Sequence, residues 1–544
     1  MIIDENNWLP HLKYLPKDIK GYKTCTYLMA LEGWRRGLTL KFRIRPRGRA
    51  IPPSIRFTLS NGEKEHYFTV ARGDKVEKSA INICMNKPLA YKHLAKSNVP
   101  IPEGSNFGKD VNDEDIIRYA KKIGFPLVIK PTDGSSGRGV ITDIKNIDDF
   151  KSALTYVRDD LNFKKVIVER FFVGEDYRIY VIGNKVIGAY KRVSANVIGD
   201  GEHTIKELIN IKNEQRKKNP FIENRPIKID ENLKEFLDDK NLTLSSIPNP
   251  GERVFLRRQG AYLKERDPVD ITDELPEKIK EIAIKATQAI PGLNHCDVDM
   301  LVNESTGEGV VNEVNSRPQI SNHLFPLEGQ ARDIPAEIID YYFPETKEVK
   351  RNNLFYYDFN PVYNAFLEGN ATEVRIPKIP SHHAISSRFL LTGSLRGVNY
   401  ERWIRRHVKR LRLHGYLKHL KNDRTSIVVS GSPKSIETFR NIITNQSPSK
   451  ATVNKVIEKR WEKPVKIGFE IKKPSAKSEF TQLKDVKDSY NKLKNKYEKL
   501  QKDYKKLRTK YNANLREYES IQSSTSWKIT KPIRKISSIG KHFK

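Results

Sequence analysis

The chain has 544 residues, a length that implies about three domains. No apolar run approaches the ~18 residues of a membrane-spanning helix. The N-terminus MIIDENNWLP lacks the basic and apolar regions of a signal peptide. Cys25, Cys84 and Cys296 have no metal-ligand spacing and read as reduced core thiols of a cytoplasmic protein. The formal net charge of +32 is concentrated: residues 385–471 carry roughly +13 and 476–544 roughly +12. Those segments therefore need their own explanation: a polyanion, an anionic membrane surface, or solubility.

In chain order, CTYLMALEGWRRG reads as a short helix stopped by Gly37, with Trp34, Arg35 and Arg36 as packing and surface residues. IRFTLSNGEKEHYFTV reads as a hairpin, Asn61-Gly62 suiting a type I′ turn. Residues 1–81 form a small first domain. FPLVIKPTDGSSGRGV is a buried strand ending in Lys130, then a loop with Gly134, Ser135, Ser136, Gly137 and Gly139. Glycines let backbone N–H groups converge on phosphate oxygens, and the lysine adds a mobile charge. The order is not the Walker pattern, since the lysine precedes the glycines; an ordinary turn is the bland alternative. KKVIVERFFVGEDYRIYVIGNKVIGAYKR follows, two apolar strands around Glu169, Arg170, Phe171 and Phe172, a segment suited to a flat base. Ordinary strand-turn-strand core is its alternative. Residues 202–280 are polar, with helices expected at 204–217 and 274–289, and read as an insertion or lid.

HCDVDMLV and VVNEVNSRPQISNH are the most informative stretches. In a strand, residues two apart share a face, so Glu313 and Asn315 point together, with Asp299 facing likewise on the preceding strand. Oxygen ligands on neighbouring strands suit magnesium, which shares its shell with nucleotide phosphates and water.

Lysine, glycine loop, Glu strand, basic strand, Asp strand and Glu-x-Asn strand, in this order, resemble the ATP-grasp superfamily. NKPLAYKHLAKSNVPIPEG resembles the helix and entry loop that open that fold. VERFFVGEDYRIYVIGNKVIGAYKRVSANVIGDGEHTIKELI and NSRPQISNHLFPLEGQARDIPAEIIDYYFP resemble the cyanophycin synthetase and bacterial glutathione synthetase branch. The likeness covers roughly residues 82–345, and 82–347 is expected to be one domain. One departure is Gln319, where that branch's Asn-x-x-Pro-Gly has glycine; it touches the acceptor side.

The resemblance implies an ADP-forming carboxylate–amine ligase that makes an acyl phosphate and then lets an amine attack it. It implies Lys87 and Lys130 on the phosphates, with the Ser135–Gly139 loop, including Ser136 and Gly137, closing over them. Glu169, Arg170, Phe171 and Phe172 would meet the adenine, with Asp176 near the ribose. Asp299, Glu313 and Asn315 would hold Mg2+, or Mn2+. Arg192, with Lys191 and Arg317, would stabilise the transferring phosphoryl group. ATP and magnesium are the expected cofactors, and a carboxylate and an amine the expected substrates, in cell-envelope polymer or peptide-like biosynthesis.

SRFLLTGSLRGVNYERWIRRHVKRLRLHGYLKHLKNDRTSIVVSGSPKSIETFRNII reads strand, loop, helix, two strands, helix, and VKIGFEIK near 464–471 would close a ferredoxin-like β-α-β-β-α-β domain over 385–472. GSLRGVNYERW and GYLKHL resemble the acylphosphatase family. Where that family has its catalytic arginine, after Tyr400, stands Glu401; His419 takes the asparagine's place. A carboxylate there repels phosphate, so a binding fold rather than a hydrolase is expected.

Residues 483–521 form a heptad repeat. Leu483, Tyr490, Tyr497, Tyr504, Tyr511 and Tyr518 take one core position; Val486, Leu493, Leu500, Leu507, Asn514 and Ile521 take the other. A coiled coil over 476–522 implies a homo-oligomer or docking within the chain, a solitary amphipathic helix being the alternative. The tail 523–544, with STSWKITKPIRKISSIGKHFK, resembles the C-terminal tails of some bacterial surface-polysaccharide glycosyltransferases. It suits an anionic membrane surface at the cytoplasmic side, or a plain unstructured end.

The fold class is thus α/β and α+β multidomain: ATP-grasp, acylphosphatase-like, coiled coil. Two other classes remain in view, an acylphosphatase-type hydrolase and a basic polyanion-binding scaffold. Against nucleic acid, the basic residues of 484–510 alternate with acids on the outer heptad positions.

Overall fold

The computed structural model describes residues 8–14, 16, 18–21, 23–44, 55–132, 138–257, 265–380, 383–472 and 476–530; along the last helix, side chains are described at 490, 491 and from 493 onward. The helix Lys23–Arg35 is buried along nearly its whole length. A helix apolar on all sides needs cover on all sides. One side packs on the five-stranded sheet Glu373–Arg375, Thr39–Ile44, Ile55–Ser60, Glu65–Thr69, Arg72–Gly73. Ile338, Ile339 and Tyr342 of the helix Ile334–Tyr342 and the aromatic residues Phe355, Tyr357 and Phe359 complete the same core. Trp34 is fully buried, and its indole N–H donates to the Pro377 carbonyl at 2.8 Å. Arg35 and Arg36 are buried too; Arg36 pairs with Glu32 and Asp340.

The expected hairpin is present, with a different turn. Ser60 pairs with Glu65, and the Asn61 amide donates to the Lys64 carbonyl, so Gly62 and Glu63 are the central residues. Only Gly62 is left-handed, at φ 105°, the sense of a type II′ turn. The Asn61 side chain accepts from the amides of Glu63 and Lys64 at 2.9 and 2.7 Å, so asparagine closes the turn from its first corner.

Two sheets follow. The first runs Gly104–Phe107, Val166–Arg170, Leu127–Pro131, Ile141–Ile144, backed by the helices Asp113–Ile123 and Ile147–Thr155. The second is antiparallel throughout, in the order Asp267–Asp270, Lys185–Val193, Glu175–Ile182, His295–Asn303, Glu308–Asn315. One of its faces buries Ile179, Val181, Val298, Met300 and Val311 against the helix Glu277–Gln288. Between these strands, residues 196–255 form a small satellite core from the helices Ile205–Arg216 and Glu231–Asp238. Thr204 opens the first of these with a capping box to Glu207.

The last sheet has the order Thr452–Arg460, Ile385–Ser394, Arg424–Gly431, His414–His419, Phe469–Lys472. This is the ferredoxin-like arrangement, but its closing strand is Thr452–Arg460. The segment expected to close it is split: Val465–Lys466 pairs with Phe355–Tyr356, and Phe469–Lys472 adds a parallel edge to His414–His419. TVNKVIEKR hid its strand character because it lies at the sheet edge, largely solvated and charged, as edges commonly are.

Ala476–Ser523 is one continuous 48-residue helix. Its stripe is uncovered in the single chain: Tyr490, Leu493, Tyr497, Leu500, Tyr504, Leu507 and Tyr511 are each 60–68% exposed. No helix among the described residues is long and apolar enough to cross a membrane. The tail beyond 530 lies outside the described residues.

Candidate active site

Alternation along the second sheet sends every second residue to the face opposite its apolar core. That face carries Asp176 and Arg178, Tyr190 and Arg192, Asp297 and Asp299, Glu313 and Asn315. Cross-strand pairing aligns them: Asp299 stands between Arg178 and Glu313, and Asp297 opposite Asn315. Arg178 grips Asp299 with two parallel bonds, Nε to Oδ1 at 2.6 Å and Nη2 to Oδ2 at 2.7 Å. Arg192 lies 3.4 Å from Asp299 Oδ2 and donates to Asp176, whose other oxygen accepts from Arg266. Burial alone would raise the Asp299 carboxyl, but Arg178 and Arg192 outweigh it and hold it down to about 2.

Asn315 Nδ2 is 3.4 Å from Asp299 Oδ2, which leaves its own carbonyl oxygen open. Glu313 is half-buried and makes no hydrogen bond or ion pair among the described residues. An unpartnered carboxylate beside Asp299, with an open amide oxygen, is a donor set that fits a hard divalent cation.

The strand Glu308–Asn315 contains a bulge. Asp299 pairs with Glu313 but Met300 with Val311, so Asn312 is the extra residue. Its side-chain oxygen accepts from Lys130 Nζ at 3.1 Å, and its backbone carbonyl from the Tyr91 hydroxyl at 3.0 Å. Lys130 Nζ also lies 2.7 Å from Glu169 Oε2 and donates to the Tyr91 oxygen at 3.1 Å. The lysine and glutamate side chains are only 5% and 4% exposed, so the pair is a buried one. Burial, opposed by Glu169, lowers the Lys130 pKa. Lysine of the first sheet and carboxylates of the second thus meet at one seam.

The other expected site residues divide. Lys87 opens the helix Lys87–Lys96 and lies near enough to Lys130 to act on its charge. Gly139, at φ 77°, packs where a side chain would strike Pro131. Ser135, Ser136 and Gly137 lie outside the described residues. Arg170 ends the strand Val166–Arg170, and Phe171 and Phe172 follow it in the link between the two sheets. Arg170 donates to the Ile123 carbonyl, and the Phe171 amide to the Pro126 carbonyl at 2.9 Å. Glu169 does not join them; its carboxylate turns inward to Lys130. Both Asp176 oxygens are engaged by arginines. Lys191, expected beside Arg192, projects from the opposite face and pairs with Glu304 at 2.9 Å, because adjacent strand residues point apart. Arg317 is exposed just past the strand end.

Sequence reading missed Arg178, Arg266, Tyr91 and Asn312. Arg178 shares the period of Asp176 and was legible; Asn312 was not, since the bulge alone aims it at Lys130. Gln319, the departure on the acceptor side, donates its amide to Asp297 Oδ2 at 2.9 Å, and its side chain accepts from Cys25. His11, Glu32 and Asp333 also converge, but the Arg351 guanidinium fills their centre, 2.8 Å from Asp333 and 3.2 Å from Glu32. In the last domain, Glu401 Oε1 lies 2.7 Å from His419 Nε2, and His419 Nδ1 lies 2.9 Å from Thr425 Oγ1.

Residues 84–217 match the RimK-like ATP-grasp domain family, and residues 387–471 match the acylphosphatase family. A cyanophycin synthetase of Crocosphaera subtropica is 33% identical over 272 residues, 49% of this chain and 31% of that protein. The glutathione biosynthesis bifunctional protein GshAB of Clostridium perfringens is 30% identical over 351 residues, 62% of this chain and 43% of that one. A bifunctional glutathione synthetase structure from Pasteurella multocida aligns at 27% identity over 53% of this chain and 41% of that chain, with a TM-score of 0.43. The chain spans less than half the length of these relatives.

Removing the lysine alone should expose the cost of the buried pair. Lys130→Met leaves the Glu169 carboxylate buried without a partner and should cost roughly 3–5 kcal/mol. Lys130→Met with Glu169→Leu should recover most of that loss in urea unfolding of the full chain. A double variant no more stable than the single one would mean the two groups are not coupled.

Proposed function

We propose that this chain, which carries a RimK-like ATP-grasp domain followed by an acylphosphatase-type domain, is an ATP-dependent, ADP-forming ligase that joins a carboxylate to an amine. The observation that carries this reading is the seam at Asn312, where the lysine of one sheet reaches the carboxylate strand of the other. Lys130 and Lys87 hold ATP phosphates under the Ser135–Gly139 loop, and the segment Arg170–Phe172 meets the adenine. Asp299, Glu313 and Asn315 hold magnesium, which neutralises phosphate charge when bound. Arg192, carried on the same face with Arg178, stabilises charge on the transferring phosphoryl group.

A substrate carboxylate oxygen bonds to the γ-phosphorus as ADP leaves. The amine nitrogen then bonds to the acyl carbon, the C–O bond to phosphate breaks, and the nitrogen loses a proton. Positioning and electrostatics suffice, and no side-chain nucleophile is needed. ADP release with amino acids, short peptides, and amino or uronic sugars, with products followed by mass, tests this reading. Glu313→Gln should lower turnover by at least ~100-fold, the scale of losing a group that stabilises transition-state charge, and leave the unfolding transition cooperative. Full turnover in that variant would remove the metal assignment.

The acylphosphatase-type domain serves binding rather than hydrolysis, because Glu401 places negative charge where a phosphate would sit and engages His419. The full chain should hydrolyse benzoyl phosphate at the background rate. Turnover well above background, abolished by His419→Ala, would reverse this.

The long helix pairs with a second copy of itself. Its Tyr497 and Tyr518 hydroxyls accept from Gln501 and Gln522 one turn on, which gives these awkward core residues a polar partner. The basic tail brings the oligomer to an anionic membrane surface from the cytoplasm. Deleting 483–544 should lower the sedimenting mass to one chain and abolish binding to anionic vesicles at low salt, while ligation survives. An unchanged sedimentation coefficient per chain would exclude the helical pairing.

A further inference from the structure

Three guanidinium groups gather where the first domain meets the end of the carboxylate strand. Arg72 Nη1 lies 3.4 Å from Ser316 Oγ, one residue past Asn315. Arg317 follows directly and is exposed. Arg56 comes from the N-terminal sheet. Phe57 and Gly73 both pair with Phe68 and share its face, so their neighbours Arg56 and Arg72 share the opposite one. One strand separates them, which sets their backbones about 10 Å apart.

None of the three has a carboxylate partner among the described residues. Four other guanidiniums withdrawn from solvent in this half of the chain are paired with carboxylates: Arg36 with Glu32, Arg178 with Asp299, Arg216 with Asp267, Arg332 with Asp270. Arg35 bonds instead to the Phe355 and His11 carbonyls, and Arg225 stacks on Phe221. Arg72 is itself half-buried. Burial first, then Arg317 and Arg56, lower its pKa, so these like charges are close enough to feel one another. The nearby thiol of Cys84, pushed up to about 11 by burial, adds no negative charge at neutral pH. A half-buried cation flanked by two more, with no protein anion, leaves the neutralising charge to a ligand.

We propose that Arg56, Arg72 and Arg317 form an anion subsite for the carboxylate substrate, which therefore carries a second anionic group, carboxylate or phosphate, beyond the one that is activated. This rests on the ligase reading. Ser316 is one chain step of about 3.8 Å from Asn315, so the two anionic ends of the substrate need stand only a few bonds apart. The N-terminal domain thereby takes part in choosing the substrate, through Arg56 and Arg72.

Binding to the full chain decides the point without requiring turnover. Calorimetry with and without Mg-ADP would compare glutarate with its monoamide glutaramate, and both with 3-phosphonopropionate. Glutarate should bind at least tenfold more tightly than glutaramate. Arg72→Gln and Arg317→Gln should each shrink that preference toward one, with Mg-ADP affinity unchanged as proof of an intact fold. Tighter binding of the phosphonate than of glutarate would identify a phosphate-bearing substrate; the reverse, a dicarboxylate. Equal binding of the matched pair, a preference that survives in both variants, or no binding of either dianion at millimolar concentration would each overturn the subsite. Failure of the ligase reading shows separately, as absence of ADP release from every substrate offered.

Discussion

The bidentate pair of Arg178 and Asp299 is the constraint on which this site depends. Asp299 is buried and Arg178 half-buried on one face of an antiparallel sheet, where a lone buried charge would cost several kcal/mol. Alternation forces that face to be polar once the other is committed to Val298, Met300 and Val311. The charges are therefore arranged as neighbours: Asp176 with Arg192 and Arg266, Asp299 with Arg178 and Arg192. Among the described residues, Glu313 on that surface makes no hydrogen bond or ion pair, and Asp297 Oδ1 is buried without a hydrogen-bond partner.

The bulge at Asn312 does the complementary work. One extra residue in the strand redirects an amide to Lys130, whose other partners are Glu169 and Tyr91. Two sheets that share no strand are tied at a buried polar knot. The link 170–174 between them makes backbone bonds to the first sheet, through the Pro126 carbonyl, and packs on Val302 of the second. The lysine-bearing sheet and the carboxylate-bearing sheet thus meet at this knot and along this link.

The first domain and the last are joined more firmly than their sequence separation implies. Residues 355–376 leave the ligase-like region and return to the N-terminal sheet, where Glu373–Arg375 pairs with Thr39–Ile44. Phe355–Tyr356 then takes Val465–Lys466 as a parallel neighbour, and Phe355 meets His414 edge-on at 5.6 Å. The acylphosphatase-type domain is seated on the N-terminal domain by backbone pairing. The long helix leaves that assembly with its tyrosine–leucine stripe in solvent, the opposite of the fully covered helix Lys23–Arg35.

The sequence by itself determined whatever depends on local period and composition. Period two placed Glu313 with Asn315 and Asp299 on one face. Helices were expected at 204–217 and 274–289, where Ile205–Arg216 and Glu277–Gln288 lie, and heptads placed the long helix. Motif order made the ATP-grasp likeness legible before any contact was known. Tertiary structure alone decided what depends on register and on distant partners. A one-residue bulge made Asn312 a site residue, and strand alternation removed Lys191 from the site to the far face. An Asx-type contact moved the turn at Asn61 by one residue. The strand Thr452–Arg460 displaced the more apolar VKIGFEIK because an edge strand needs one hydrogen-bonded neighbour and little burial. Arg72 came to lie beside Ser316 only because a sheet more than 200 residues upstream in sequence packs there; no local pattern encodes the partner a charge lacks.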